Sequence, residues 1–138
     1  MQRVKEVMTE RPVTLDQGAS LTEAAQLMRD GGIGDVIVVE GQEATGIVTD
    51  RDIVVRGIAD GADPKTTRVS EVLSGELASV TPEDSVERAI AVMREKAVRR
   101  IPVLEGRKPV GIVSLGDLAL ERDQRSVLAD ISDEPPDR

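Results

Sequence analysis

Two duplicated pairs of residues carry the side chains best suited to chemistry. In each pair a hydroxyl residue stands three positions before an aspartate: Thr49 with Asp52, and Ser114 with Asp117. Each pair follows a short apolar run and precedes apolar residues at helical spacing, so it lies where a strand turns into a helix. A hydroxyl at that point suits a phosphate bound at the helix amides, and a carboxylate accepts well from the adjacent hydroxyls of a ribose. The pairs therefore predict nucleotide binding.

The same pairs also fit a capping box, in which the two side chains cap the helix start reciprocally and need no ligand. That alternative stays open for both pairs. Arg51 either forms an ion pair with Asp50 or Asp52, or reaches a phosphate. Arg99 and Arg100 are either a solvated surface pair or a means of neutralising phosphates.

Composition excludes several classes of enzyme. The chain of 138 residues contains no His and no Cys, which rules out His and Cys metal sites, thiol catalysis and His-based triads. No lysine lies near the two pairs in sequence, so we expect no catalytic residue, no enzymatic activity and no required cofactor. The acids Asp35, Asp50 and Asp52 have poor spacing for a cation. We predict no metal site, with Mg²⁺ entering only if a nucleotide brings it.

The charge balance bears on partners and location. Lys and Arg number 18 against 26 Asp and Glu, and the net charge of -8 repels nucleic acids and anionic membrane surfaces. No apolar run approaches the roughly 20 residues of a membrane span, and the first residues do not lead into an apolar signal region. We therefore expect no nucleic-acid partner, no membrane partner and a cytoplasmic location.

The chain is an internal duplication. Val4–Ile53 aligns without a gap with Val69–Leu118, and the matches include the Gly-Ile-Val runs that begin at Gly46 and Gly111. This self-similarity predicts two domains, at residues 1–60 and 69–122, joined by a connector at residues 61–68. A tail follows at residues 123–138, and we expect its last residues to be disordered.

Each copy has the same predicted order of elements: strand, helix, strand, strand, helix. The helices begin at capping boxes, Ser20 with Glu23 in the first copy and Asp84 with Glu87 in the second. The strands are predicted at residues 13–15, 36–39 and 46–48, and again at 78–80, 101–104 and 110–113.

The predicted fold class is α/β, of mixed α+β type. A single copy buries too little surface to be stable alone, so we expect the two βαββα repeats to pack sheet to sheet around a pseudo-two-fold axis. Apolar residues after each pair would leave helix faces to cover, and a homodimer with two-fold symmetry is expected. These residues are Ile53, Val54, Ile58, Leu118 and Leu120.

From residue 4 to about 122, the sequence resembles a tandem pair of CBS domains, also called a Bateman module. The resemblance rests on the order and duplication of short motifs: residues 4–8, the helices after Ser20 and Ser85, and residues 99–103, 46–53 and 111–118. It implies a non-enzymatic regulatory module that binds AMP, ADP, ATP or S-adenosylmethionine in clefts between the paired repeats. The chain is similar to stand-alone bacterial two-CBS proteins of the hypoxic-response type.

The resemblance also implies roles for individual residues. The aspartates Asp52 and Asp117 contact ribose, and Thr49 and Ser114 lie near phosphate. The residues that open the second strand of each copy wrap the base through backbone atoms; they are Gly34, Asp35 and Val36, and Arg100, Ile101 and Pro102. We add Thr14, Ser79, Arg51 and Arg99 as nucleotide-binding residues. The alternative function is a protein-interaction scaffold with vestigial clefts and an unknown protein partner.

Overall fold

The computed structural model describes residues 2–73 and 77–119. The strands are β1 (Thr9–Glu10), β2 (Thr14–Asp16), β3 (Asp35–Glu40), β4 (Glu43–Thr49), β5 (Arg100–Glu105) and β6 (Lys108–Ser114). The helices are α1 (Leu21–Gly31), α2 (Asp50–Asp52), which continues as a π-helix over Ile53–Ile58, and α3 (Val86–Lys96). Short 3₁₀ turns cover Val4–Glu6 and Val69–Glu71, and residues 115–119 are helical.

The chain forms two units, each with one three-stranded sheet. Pro12–Leu77 form the continuous unit, whereas Met1–Arg11 and Ala78–Arg138 form the composite unit. The continuous unit has the strand order β2-β3-β4, with β2 parallel to β3 and β3 antiparallel to β4. The composite unit has the order β1-β6-β5, and both of its pairings are antiparallel. The predicted mixed α/β class is confirmed.

A β-hairpin is the centre of each unit. The predicted apolar runs form β3–β4 and β5–β6, and a two-residue turn closes each hairpin. The first turn residue is Gly41 or Gly106, both with φ 64°, a left-handed conformation that glycine adopts without steric cost. The other end of each hairpin is open and leads directly into a helix.

Each long helix begins at a serine. The Ser20 Oγ accepts from the Glu23 amide at 3.1 Å, and the Ser85 Oγ accepts from the Arg88 amide at 3.0 Å. The predicted box at Asp84 is wrong, because the Asp84 carboxylate instead accepts from the Thr81 amide at 2.8 Å, one turn earlier. Ser85 takes the cap because it, like Ser20, has the extended backbone of an N-cap.

Aliphatic side chains fill the core of each unit. In the continuous unit Leu21, Ala24 and Met28 of α1 pack on β3 and β4. The composite unit repeats this with helix residues at the equivalent positions, Val86, Ala89 and Met93, packed on β5 and β6. The helical spacing of these residues puts them on one face, and burial of that face holds each helix to its hairpin.

The first segment of each sequence repeat packs in the unit built mainly from the other repeat. The Val4 amide donates to the Asp84 carbonyl at 2.8 Å, so residues 2–11 belong to the composite unit. The equivalent Val69 amide donates to the Ala19 carbonyl at 2.8 Å in the continuous unit. The structural units therefore differ from the predicted domain limits, which follow the sequence repeat.

Pro102 shortens the first strand of the second copy. In the continuous unit the Ile37 amide donates to the Val13 carbonyl at 3.1 Å and helps to hold β2. Pro102 occupies the position of Ile37 and has no amide hydrogen. The strand predicted at residues 78–80 is consequently reduced to a single bridge between Val80 and Val103.

The apolar face expected to drive dimerisation is smaller than predicted. Ile53 and Leu118 are buried in the cores, with Leu118 0% exposed, because they complete the packing of their own units. Val54 and Ile58 remain 58% and 50% exposed, and Val55 joins them. Leu120 and the tail 123–138 lie outside the described residues. No helix within residues 2–73 and 77–119 has the length and apolar content to cross a membrane.

Candidate functional site

The open end of each hairpin brings the predicted site residues together. In β3–β4, Asp35 lies opposite Thr49, and in β5–β6, Arg100 lies opposite Ser114. The residue that opens one strand therefore faces the hydroxyl residue that ends the next. We call these positions the Thr49 site and the Ser114 site.

Backbone hydrogen bonds fix the start of the helix at both sites. The Asp50 amide donates to the Gly34 carbonyl at 3.0 Å, and the Leu115 amide donates to the Arg99 carbonyl at 2.7 Å. Gly34 and Arg99 occupy equivalent positions in the two repeats, as do Asp50 and Leu115. The same backbone arrangement thus presents different side chains at the two sites.

At the Thr49 site the capping box is complete. The Thr49 Oγ1 accepts from the Asp52 amide, the Asp52 Oδ2 accepts from the Thr49 amide, and both distances are 3.0 Å. The other carboxylate oxygen of Asp52, Oδ1, lies 3.9 Å from Arg56 Nε in an ion pair. The Asp52 carboxylate is therefore held on both sides by its own unit.

At the Ser114 site only half of the box is formed. The Ser114 Oγ accepts from the Asp117 amide at 3.1 Å, and Ser114 is 4% exposed. Across the described ranges 2–73 and 77–119, no hydrogen bond or ion pair engages the Asp117 carboxylate. This carboxylate can accept from a ligand without breaking a contact to those residues.

Thr14 and Ser79 lie on the chain segments next to the hairpins. Thr14 is exposed and stands opposite Ile37 in the parallel pairing of β2 with β3. Ser79 precedes Val80, whose amide donates to the Pro102 carbonyl at 3.2 Å. Both hydroxyl residues therefore adjoin the strand that opens their site.

Val36, Ile101 and Pro102 are buried. Val36 and Ile101 pack in the cores of their own units, and a ligand at the strand opening meets the backbone of all three residues rather than exposed side chains. This burial agrees with the backbone role that the family resemblance implies for them.

Arg51 forms neither of the ion pairs considered from the sequence. Its backbone amide donates to Asp50 Oδ1 at 2.8 Å, and within the described part of the chain its side chain has no carboxylate partner. The ion pair of Asp52 is made by Arg56 instead. Sequence reasoning missed Arg56, although its place four residues after Asp52 on a predicted helix is the spacing at which opposite charges meet.

The residues at the strand opening and at the start of the following helix differ in charge between the two sites. Asp35, which is 9% exposed, and the exposed Asp50 flank the Thr49 site, whereas Arg99 and Arg100 flank the Ser114 site. Among residues 2–73 and 77–119 no three acidic side chains come together in a way that could hold a metal ion.

The family of the chain follows from comparison with known proteins. Residues 4–57 and 69–122 each match the CBS domain. The chain belongs to the CBS-domain family. Proteins with CBS domains are generally regulatory rather than catalytic.

The similar proteins include a CBS domain-containing protein and a hypoxic response protein. The CBS domain-containing protein YhcV of Bacillus subtilis is 42% identical over 122 residues, which cover 88% of this CBS pair and 86% of YhcV. Hypoxic response protein 1 of Mycobacterium tuberculosis is 33% identical over 129 residues, 93% of this chain and 90% of that protein. The resemblance to two-CBS proteins of the hypoxic-response type is confirmed.

Solved structures share the fold of the CBS pair. A crystal structure of Hypoxic Response Protein I with two coordinated zinc ions has a TM-score of 0.79 and 34% identity, covering 86% of this chain and 97% of that one. The CBS domain pair of protein MJ0100, in complex with 5-methylthioadenosine and S-adenosyl-L-methionine, has a TM-score of 0.81 and 21% identity. The match covers 91% of this chain and 99% of that one. The second likeness concerns the fold alone.

Proposed function

We propose that this CBS pair is a non-enzymatic, cytoplasmic regulatory module that binds an adenosine-containing ligand at the Thr49 and Ser114 sites. The observation that carries the proposal is the position of the Asp117 carboxylate, which can accept hydrogen bonds from a ligand. Its carboxylate adjoins a buried capping hydroxyl and an open strand end, and no described residue occupies it. A nucleoside offers the pair of hydroxyls that such a carboxylate accepts from.

The remaining groups of the site have complementary roles. Ser114 and the first amides of the following helix lie where a phosphate or another polar substituent of the ribose would reach. The base would lie against the backbone of Arg100, Ile101 and Pro102, between aliphatic side chains, because the chain has no aromatic residue to stack on it. A nucleotide could bring Mg²⁺ with it, and the protein itself requires no cofactor.

The regulatory effect would come from differential affinity. A ligand that binds one conformation of the CBS pair more tightly than another shifts the population toward it, and the size of the shift is limited by that difference. We propose that the active form is a homodimer, because Val54, Val55 and Ile58 leave an apolar helix face exposed.

Calorimetry and thermal unfolding with AMP, ATP and S-adenosylmethionine test the proposal, with GMP as the control for the base. We expect heat of binding for at least one adenosine compound, at no more than two sites per chain, and weaker binding of GMP. A ligand at 100 times its Kd stabilises the folded state by about 2.7 kcal/mol. Absence of both heat and stabilisation at millimolar ligand would favour the alternative, a protein-interaction scaffold with vestigial sites.

A further inference from the structure

The two sites differ in charge at three positions that the repeats make equivalent. The first copy has an uncharged residue followed by two acids, and the second has two bases followed by an uncharged residue. These positions hold Gly34, Asp35 and Asp50 in the first copy and Arg99, Arg100 and Leu115 in the second.

Strand register and backbone hydrogen bonds place these side chains at the same point of each site. Asp35 and Arg100 stand directly opposite the capping hydroxyl residue of their own site. Asp50 and Leu115 are the first residues after that hydroxyl, and each amide is bonded to the carbonyl of the residue before the strand opening. The differing charges therefore lie at equivalent positions of the two sites.

Arg51, whose equivalent in the second copy is Gly116, offsets one of the acids at the Thr49 site, but the overall balance of each unit favours the same difference. In residues 12–73 acidic side chains clearly outnumber basic ones, whereas in residues 2–11 and 77–119 basic side chains are the more numerous. A guanidinium forms strong, charge-assisted bonds to phosphate oxygens, and a nearby carboxylate repels them. A sulfonium or ammonium group experiences the opposite preference.

Given the proposed adenosine-binding function, we infer that the two sites bind ligands of opposite charge. The Ser114 site takes a phosphorylated adenosine, and the Thr49 site takes an adenosine derivative with a cationic substituent. The CBS pair would then compare two pools of adenosine compounds rather than measure one pool twice. Asp35 and Asp50, with Arg99 and Arg100, are the specificity-determining residues.

Sequential titration tests this assignment. The probes are AMP, S-adenosylmethionine and adenosine. AMP approaches two negative charges at a pH above its second pKa of about 6, S-adenosylmethionine is a net cation, and adenosine is uncharged. S-adenosylmethionine titrated into AMP-saturated protein is expected to bind one site per chain, with an affinity within about twofold of its value without AMP. Direct competition between AMP and S-adenosylmethionine for one site would overturn the inference.

Charge exchange assigns the sites to residues. The double variant Arg99→Gly with Arg100→Asp places the residues of the first copy in the second, and we expect AMP affinity to fall about tenfold or more while adenosine affinity stays within twofold. Arg107→Gln is the control, because it removes one positive charge from the turn at the opposite end of the same hairpin, roughly 20 Å along the strand. Thermal unfolding checks that each variant is folded.

The reciprocal variant Asp50→Leu keeps the test valid if the double variant does not fold. Asp50 is exposed, and Leu is the residue that the second copy has at this position. We expect weaker binding of S-adenosylmethionine and unchanged binding of AMP at the Ser114 site. Equal losses for AMP, adenosine and S-adenosylmethionine in either variant would contradict charge selection.

Salt provides an independent measurement. AMP and S-adenosylmethionine should both lose affinity between about 50 mM and about 500 mM sodium chloride, while adenosine should not. If adenosine binds but charge has no effect on AMP or S-adenosylmethionine, the inference fails and the proposed function survives. If none of the three compounds binds the parent protein, both fail.

Discussion

Asp52 and Asp117 occupy the same position in the two repeats but have different partners. The Asp52 carboxylate closes a capping box with Thr49 and pairs with Arg56 at 3.9 Å. The Asp117 carboxylate has neither contact within the described residues. Among the described residues, the Asp52 carboxylate is thus engaged by its own unit and the Asp117 carboxylate is not, a difference that the identical sequence spacing does not reveal.

Replacing Asp117 with Ala should reduce ligand affinity more than stability. A lost hydrogen bond to a charged group is worth roughly 1.5–3 kcal/mol, so the Kd for AMP should rise about tenfold to a hundredfold. The free energy of unfolding without ligand should change little. Calorimetry and chemical denaturation measure the two quantities.

Asp52→Ala is the matched variant and should have the opposite balance. Loss of the carboxylate half of the capping box and of the ion pair with Arg56 should cost about 1 kcal/mol of stability, while the loss of AMP affinity should be smaller than for Asp117→Ala. Should Asp117→Ala lower stability and still bind AMP as the parent does, Asp117 is a cap and not a ligand contact.

At the scale of elements, the hairpins and long helices could be predicted because local signals agree. The apolar runs with Gly41 and Gly106 between them indicate hairpins, and the helical spacing after Ser20 and Ser85 indicates helices. The structure extends the four predicted hairpin strands by one to three residues at their ends, and β2 lies one residue later than predicted. The pairing of Asp35 with Thr49 at one site follows from this hairpin register.

Other features depend on contacts that the sequence pattern does not specify. The strand predicted at residues 78–80 is lost because Pro102 cannot donate the backbone hydrogen bond that Ile37 donates to the first strand of the first copy. The apolar pattern of residues 78–80 does not show this. The choice of Ser85 over Asp84 as a cap depended on where the backbone first becomes helical. Asp52 has an ion-pair partner in Arg56. The equivalent position in the second copy is Glu121, so the sequence offers Asp117 no basic residue there.

The ends of α1 and α3 offer a test of backbone strain. Gly32 and Ala97 both adopt the left-handed conformation, with φ 62° and 55°, which costs a residue with a Cβ roughly 1–2 kcal/mol. Ala97→Gly should therefore raise the free energy of unfolding by up to about 1 kcal/mol, and Gly32→Ala should lower it by a similar amount. Urea denaturation of both variants provides the comparison, and a destabilised Ala97→Gly chain would contradict the assigned conformation.

At the scale of the whole molecule, the first segment of each repeat packs in the unit built mainly from the other repeat, so its apolar residues stabilise that other unit. Val4 is fully buried in the core of the composite unit, and Val69 is fully buried in that of the continuous unit. Sequence could not reveal this exchange, because Val4 and Val69 occupy equivalent positions and either core offers a matching apolar site.

Val4→Ala should destabilise the composite unit by roughly 2 kcal/mol. Its effect should appear in hydrogen exchange as lower protection of α3 amides, with α1 amides little changed, and Val69→Ala should show the reverse. Loss of α1 protection in Val4→Ala would mean that the segments pack within their own repeats.

A charge contact reinforces the first segment of the composite unit. Lys5 Nζ donates to Glu83 Oε1 at 2.8 Å, and this bond lowers the pKa of the Glu83 carboxyl. Its stabilising effect is therefore present above the pKa of the unfolded state and disappears as pH falls through the lower folded pKa. Urea denaturation across the acidic range should show Glu83→Gln less stable than the parent at neutral pH and indistinguishable from it in strong acid. A difference that persists in strong acid would mean that the carboxylate charge is not responsible.

The exposed residues of the π-helix provide the test of assembly. Ile58→Glu places a charge on the face formed with Val54 and Val55, where burial in a dimer would be costly. Sedimentation should show a dimer for the parent and a monomer for the variant at tens of micromolar protein. Arg56→Glu, a charge change on the same helix, serves as the control, and a monomeric parent would exclude the proposed dimer.

The exchanged segments also impose an order on folding. Residues 12–73 can complete their sheet, helix and core from one uninterrupted stretch of chain, so this unit is able to form as soon as that stretch leaves the ribosome. The composite unit must wait until residues 78–119 have been made and residues 2–11 have closed a loop of about 70 residues, a slow non-local step. During synthesis the apolar Val4 segment therefore stays without its core, and the Ser114 site is the later of the two to exist.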